Sequence, residues 1–342
     1  MPRYAILVEG RFDYLYGKTC TATLRYRPED VVCCVDSHHE GKTAHDVVSL
    51  GGEIPVVGDV QSALSYRPDT LLIGVATAGG YLPEEMRSGV KTAMNHGLDV
   101  VCGLHHFLSD DHELKTLAET NHVTITDLRK TPDPLPFTKG SWIKRKTPVL
   151  LTVGSDCDTG KMTTAWELKN KLADRGIKAS FVGTGQTGIL LSGNGIAIDA
   201  VVSDFVAGCV ESEIDKADHN CDIIIVEGQG SLTHMAYSGV TLGLLHGAMP
   251  DLFLMCHEPA RQKDTFGYPM APFGKTLELY SDLVNIFKHC SYAGISLITH
   301  SEPDDSARQT ILSTEKSFQL PTDDLIRFGG KRIIDSIVDS LS

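Results

Sequence analysis

The chain has 342 residues, 42% of them hydrophobic and 22% charged, with a formal net charge of −13. That length accommodates two domains of ordinary size, and the composition is that of a soluble globular protein, not a disordered one. The acidic balance argues against nucleic acid and anionic membrane as partners, because both demand an excess of Lys and Arg, yet a local cradle of backbone amides with one Lys can still hold a small anion.

In the first half, short apolar runs alternate with helical patterns. The runs are YAILVEG (4–10), VVCCVD (31–36), IPVVG (54–58), TLLIGVA (70–76) and DVVCGL (99–104). PEEMRSGVKTAMNHG (83–97) is the clearest helix, with Pro near its start and Gly at its end. This alternation predicts a mostly parallel sheet, a Rossmann-like domain over residues 1–138. The stretch EGRFDYLYGKTCTA holds a Gly-Lys-Thr, but six residues separate Gly10 from Gly17, which matches no known phosphate cradle. Asp36 ends the second run, where a dinucleotide-binding domain holds a ribose. No G-x-G-x-x-G follows the first run, so a nicotinamide cofactor is not expected. The doublets His38–His39 and His105–His106 also follow strands and are weak cleft candidates. The early Asp in MPRYAILVEGRFD is unlike a signal peptide, and no apolar run reaches the roughly 18 residues of a membrane span. Nine cysteines with no CxxC pair read as reduced structural thiols of a cytoplasmic protein.

The Pro-rich, basic stretch TPDPLPFTKGSWIKRKTP (131–148) reads as a linker. After it the alternation restarts in a second α/β domain, residues 139–342. Its strands are PVLLTVG (148–154), KASFVG (178–183), DIIIVEG (222–228), DLFLMC (251–256) and YAGISLIT (292–299). A helix starts from Gly160, another covers TLELYSDLVNIFKHC (276–290), and ILSTEKSF and RIIDSIVDSL read as closing helices.

PVLLTV, then GSDCDTGK, then MTTAWELKNKLADRG is strand, loop and helix. That arrangement aims successive N–H groups and a helix N-terminus at an anion. The candidate cradle is Gly154, Ser155, Asp156, Cys157, Asp158, Thr159, Gly160, Lys161, Met162 and Thr163. Five residues separate Gly154 from Gly160-Lys161, one more than in the common form. This longer loop resembles that of dethiobiotin synthetase, G-T-D-T-x-x-G-K-T, through Gly154, Asp156, Gly160 and Lys161. Met162 stands where a nucleoside triphosphatase carries the hydroxyl that binds Mg²⁺, and a thioether is a poor ligand for that ion. Its register with Ala165, Leu168 and Leu172 also suits packing at the helix base. The loop thus keeps the parts that grip a diphosphate and lacks the one that grips a metal.

In DIIIVEGQGSLTHMAY, Glu227 ends an apolar strand at the Walker-B position, and VEGQG resembles the V-E-G-A-G of dethiobiotin synthetase; a strand-end acid can equally cap a turn. Thr184 and Gln186 in FVGTGQTG are candidate substrate contacts. His234, His257 and His300 follow strands, where ligands of open α/β sheets bind, and Glu227, His234 and His257 are the acid–base candidates. No close-spaced ligand motif predicts a metal. The long loop HEPARQKDTFGYPMAPFGK (257–275) offers Arg261 and Lys263 to substrate carboxylates, or is simply a solvated surface loop.

Together GSDCDTGKMTTAWEL, FVGTGQTG, DAVVSDFVAG (199–208), VEGQGSLTH and the closing RFGG (327–330) resemble, over essentially the whole chain, a two-domain family. It joins an N-terminal Rossmann-like domain to a C-terminal P-loop NTPase-like domain and long carried an unknown-function label. Some members are D-glutamate (D-amino acid) N-acetyltransferases that use acetyl-CoA in D-amino-acid catabolism. The resemblance implies that activity here, with acetyl-CoA as co-substrate and its diphosphate in the loop. The alternatives are an ATP/Mg-dependent ligase or kinase of the dethiobiotin-synthetase type and a nucleotide-binding switch or delivery protein. Small molecules are the expected partners, and a homo-oligomer is compatible with this composition.

Overall fold

A computed structural model describes residues 2–341. The chain divides into two compact units. One is the chain up to Lys130 with Ile189–Gly193; the other is Thr131–Gly188 with the chain from Asn194 onward.

The first unit runs β1 (Tyr4–Leu7), α1 (Lys18–Tyr26), β2 (Val31–Val35), α2 (Ala44–Val48), β3 (Val56–Val57), α3 (Val60–Ala63), β4 (Thr70–Ile73), α4 (Glu84–Asn95), β5 (Asp99–Cys102), α5 (His112–Asn121) and β6 (Ile125–Asp127). Its six strands lie in the order β3-β2-β1-β4-β5-β6, every pairing parallel. Parallel strands need crossover connections that cover both faces, so the apolar runs are continuous, and all of β1 and β4 is buried. The predicted strands form but end early, because the chain leaves the sheet for the loops that carry polar groups. β6 escaped the sequence reading, since three residues, ITD, carry no periodicity. Helix α4 turns Met86, Val90, Ala93 and Met94 inward at helical spacing.

The second unit runs β7 (Val149–Gly154), α6 (Lys161–Ala173), β8 (Ala179–Val182), the start of α7 (Gln186–Ser192, whose residues from Ile189 on group with the first unit), α8 (Val206–Ala217), β9 (Ile223–Val226), α9 (Ser238–Ala248), β10 (Leu252–His257), α10 (Phe273–Asn285), β11 (Ser291–Leu297), α11 (Asp304–Phe318), β12 (Thr322–Asp323) and α12 (Lys331–Leu341). Its sheet is also six-stranded and parallel, in the order β12-β11-β10-β7-β9-β8. β7 therefore sits between β9 and β10, and the loops leaving these three strands emerge side by side. Phe253, Met255 and Tyr280 anchor the core at almost no exposure, each burial stabilising by about 2–3 kcal/mol. The Pro-rich segment after Thr131 is not a free tether. Buried Glu211 of α8 accepts hydrogen bonds from Thr138 Oγ1 (3.1 Å) and the Ser141 N–H (2.6 Å), and the Phe137 ring meets Phe205 edge-on.

None of the nine cysteines forms a disulfide. Burial pushes the Cys33 and Cys102 thiols up to about 12, so both are inert at neutral pH. Among the described residues, no helix is long and apolar enough to cross a membrane.

Candidate phosphate-binding site

The loop after β7 is built around a buried lysine. Gly160, at φ 74°, is the N-cap of α6, and Lys161 opens the helix. The Lys161 ammonium donates to the Asp156 carbonyl (2.6 Å) and to Thr159 Oγ1 (3.3 Å), both neutral oxygens. Burial pulls its pKa below the ordinary lysine value. Gly154 permits this closure, because a Cβ there would stand 2.8 Å from the lysine Nζ and 2.5 Å from Thr159 Oγ1. The Ser155 N–H still pairs with Cys256 across the sheet (3.1 Å). Beyond it, the N–H groups of Asp156, Thr159 and Gly160 have no protein acceptor among the described residues. A buried cation ringed by undischarged backbone donors at a helix N-terminus is an anion cradle.

Side chains from neighbouring strands brace the loop. Because β10 adjoins β7, His257 reaches Ser155, Nδ1 to Oγ at 2.8 Å, and its ring stacks on Phe273 at 4.0 Å. Burial, reinforced by the Arg261 charge, lowers the His257 pKa to about 4, so the ring is neutral at pH 7. Arg261 clamps the loop: Nη1 donates to Asp156 Oδ2 (3.0 Å) and to the Cys157 carbonyl (2.8 Å), and Nε donates to Glu258 (2.7 Å). Expected at a substrate carboxylate, this guanidinium instead braces the cradle itself. Lys263 is exposed and forms a bridge pair with Pro269, and His300 is exposed too.

His234 is 2% exposed and sits between Tyr237, stacked at 4.9 Å, and the edge of Phe266 at 5.1 Å. Its Nδ1 accepts the Ala236 N–H (3.2 Å), so the proton resides on Nε2, which faces Thr265 Oγ1 (3.0 Å) and Asp156 Oδ1 (3.8 Å). Asp156, Cys157 and His234 bring potential metal-ligand atoms within 4.8 Å of one another. That tautomer presents a hydrogen, not a lone pair, and Arg261 holds the other Asp156 oxygen; the set is a poor fit to a metal ion. Met162 is half-buried, whereas Ala165, Leu168 and Leu172 are fully buried, and its thioether supplies no hard oxygen.

Glu227, one residue beyond β9, is 3% exposed. Its Oε2 accepts the N–H groups of Thr184 (2.9 Å) and Gly185 (3.2 Å), while Thr184 Oγ1 donates to the Glu227 carbonyl (2.8 Å). Thr184, expected as a ligand contact, is fully buried and holds Glu227 in place. Gln186 begins α7 and is half-buried. Gly188 is required here: a Cβ would lie 2.1 Å from Glu227 Oε2. Burial raises the Glu227 pKa to about 7, with the two amides pulling the other way. The next residue, Gly228, approaches the lysine stem so closely that a Cβ would be 3.0 Å from Lys161 Cδ.

Most of these residues are visible in the sequence as strand-end polar groups; their partnerships are not. Nothing local signals that β10 lies beside β7, that Phe273 stacks on His257, or that Thr265 meets His234.

A parallel α/β sheet with a Gly-Lys cradle at the end of a central strand defines a P-loop protein, here joined to a Rossmann-like unit. The chain belongs to the DUF1611 family. Residues 37–131 match its Rossmann-like domain of unknown function (DUF1611_N), and residues 136–334 match its P-loop domain of unknown function (DUF1611_C). It is 38% identical over 282 residues to a D-glutamate N-acetyltransferase of Tritonibacter scottomollicae, covering 81% of this chain and 84% of that one. It is 36% identical over 276 residues to a D-glutamate N-acetyltransferase of a Pseudoalteromonas species, covering 80% and 81%. A crystal structure of a DUF1611 family protein from Anabaena variabilis matches it with a TM-score of 0.94 at 33% identity, over 99% of this chain and 100% of that one.

Proposed function

We propose that this protein is an N-acetyltransferase that moves the acetyl group of acetyl-CoA to the amino group of D-glutamate or a related D-amino acid, as part of D-amino-acid breakdown. The names of the two relatives support the reaction class. The observation that carries the cofactor reading is the Lys161 cradle, with free N–H groups at Asp156, Thr159 and Gly160 and a thioether at Met162. Coenzyme A offers a diphosphate and no transferable γ-phosphate, so it needs the cation and the amides but not a metal-binding hydroxyl.

The pantetheine arm links diphosphate to thioester, and when extended it spans about 15 Å at ordinary bond lengths. On this reading Glu227, His234 and His257 belong to the cradle and shape its charge, while acetyl transfer takes place at the far end of the arm. Glu227 then acts as a proton sink beside the diphosphate. Its pKa of about 7 leaves it part-ionised, and an arriving polyanion favours the protonated form. The acceptor amine must lose its proton before attacking the thioester carbonyl; the carbon–sulfur bond breaks as the carbon–nitrogen bond forms, and the thiolate leaves.

Release of free thiol from acetyl-CoA tests the proposal. Release is expected with D-glutamate, not with L-glutamate, and not in Lys161→Ala. No thiol release with any amino acid would sink the acetyltransferase reading, and Mg²⁺-dependent phosphate release from ATP with a carboxylic acid would favour a ligase instead.

A further inference from the structure

The first unit carries a crevice that the cradle chemistry leaves unused. A cavity of about 450 Å³ is lined by Arg11, Tyr16, Thr77, Tyr81, Pro83 and Glu85. Arg11 follows β1 and Thr77 follows β4, which are adjacent parallel strands. Strand order reverses between these two, and in open α/β sheets that is where ligands bind. The Ala76 N–H ties the two loops together by donating to the Tyr16 carbonyl (2.8 Å), and Thr77 Oγ1 braces the second loop by donating to the Tyr81 carbonyl (2.7 Å). The Tyr81 ring lies on His106 at 4.4 Å while its residue stays 59% exposed, so it forms a fixed wall with an open face.

A nucleotide does not suit this crevice. The acid that would take a ribose, Asp36, is fully buried and already accepts the Gly10 N–H (2.9 Å) and pairs with His39 Nδ1 (2.6 Å). What the crevice does present is one charge of each sign. Arg11 Nη1 meets Glu85 Oε1 at 2.8 Å, with both side chains partly exposed at 30% and 51%. Nη1 also reaches the Glu9 carbonyl at 3.4 Å, whereas Nε and Nη2 have no protein partner among the described residues. An exposed pair of this kind is held weakly, so a ligand bearing both charges can exchange into it at small cost. A carboxylate matches the guanidinium fork, and an ammonium matches the Glu85 carboxylate.

We propose that the crevice at the carboxyl ends of β1 and β4 binds a free α-amino acid, with its carboxylate on Arg11 and its ammonium on Glu85. This deepens the acetyltransferase reading, on which it rests for the identity of the amino acid, by giving the acceptor a site in the unit that lacks the cradle.

The test is calorimetric titration of the full chain with D-glutamate and with N-acetyl-D-glutamate, without acetyl-CoA, for wild type, Arg11→Gln and Glu85→Gln. Each substitution is expected to weaken D-glutamate binding at least about tenfold, the scale of one charge-assisted contact, while acetyl-CoA affinity stays within about twofold. N-acetyl-D-glutamate, which has no ammonium, should bind wild type more weakly than D-glutamate does, and Glu85→Gln should narrow that difference. Unchanged D-glutamate binding in variants that melt like wild type would overturn the site, as would no binding to wild type. Thiol release with an unaltered amino-acid KM in Arg11→Gln would also remove the site and leave acetyl transfer standing. Amino-acid binding without thiol release would do the reverse.

Discussion

Both units contain a strand, a glycine, a loop and a second glycine that caps a helix beginning with lysine. In the first unit these are β1, Gly10, Gly17 and Lys18; in the second they are β7, Gly154, Gly160 and Lys161. The two loops nonetheless differ in how their backbone donors are spent. The first spends its donors on carboxylates: its own Asp13 Oδ1 accepts the N–H groups of Leu15 (2.8 Å) and Tyr16 (2.6 Å), and Asp36, after β2, takes that of Gly10. The second turns Asp156 away. Arg261 holds the Asp156 carboxylate, and the amides of Asp156, Thr159 and Gly160 stay unclaimed beside the lysine. Glycine and lysine at the right places therefore do not make a cradle. The loop must also keep its carboxylates off its own amides.

That contrast can be broken in order of expected effect. Lys161→Ala removes the buried cation at the centre of the cradle and should weaken acetyl-CoA binding by about 100-fold or more, measured by titration. Arg261→Ala should free Asp156 to turn toward the loop amides and cost about tenfold in acetyl-CoA affinity; Arg261→Lys should recover only part, because the two-pronged hold on Asp156 and the loop carbonyls is lost.

Glu227→Gln is expected to act through pH. In the folded protein the carboxyl titrates near 7, above its ordinary 4.5, so the fold favours the protonated form. The stability this contributes is complete below about 4.5 and is lost as pH rises through about 7, by up to about 3 kcal/mol. The variant should therefore melt higher than wild type above pH 7 and match it at pH 4.5. Acetyl-CoA affinity should fall with rising pH in wild type by a few-fold and flatten in the variant; an unchanged pH profile would remove Glu227 from the cradle. The smallest effect is expected in the first loop. Asp13→Ala should cost about 1 kcal/mol of stability by leaving the Leu15 and Tyr16 amides to water, with no change in acetyl-CoA affinity.

What the sequence determined by itself is local. VLLTVGSDCDTGKMTTAWEL declares strand, loop and helix within twenty consecutive residues, because apolar patterning, a glycine N-cap and helix propensity act between near neighbours. The missing magnesium hydroxyl at Met162 was readable for the same reason. Both parallel sheets followed from strands alternating with helices, although β6 and β12 were too short to carry a pattern. Tertiary structure decided which strand ends meet. The order β12-β11-β10-β7-β9-β8 sets His257 on Ser155, 102 positions away, and folds the Arg261 loop back onto the cradle. It also buries Glu227 deeply enough to hold its proton near neutrality. The reason is that desolvation and hydrogen bonding depend on what surrounds a group in space. In a parallel sheet those surroundings come from strands separated by whole crossover helices, so no window along the chain contains them.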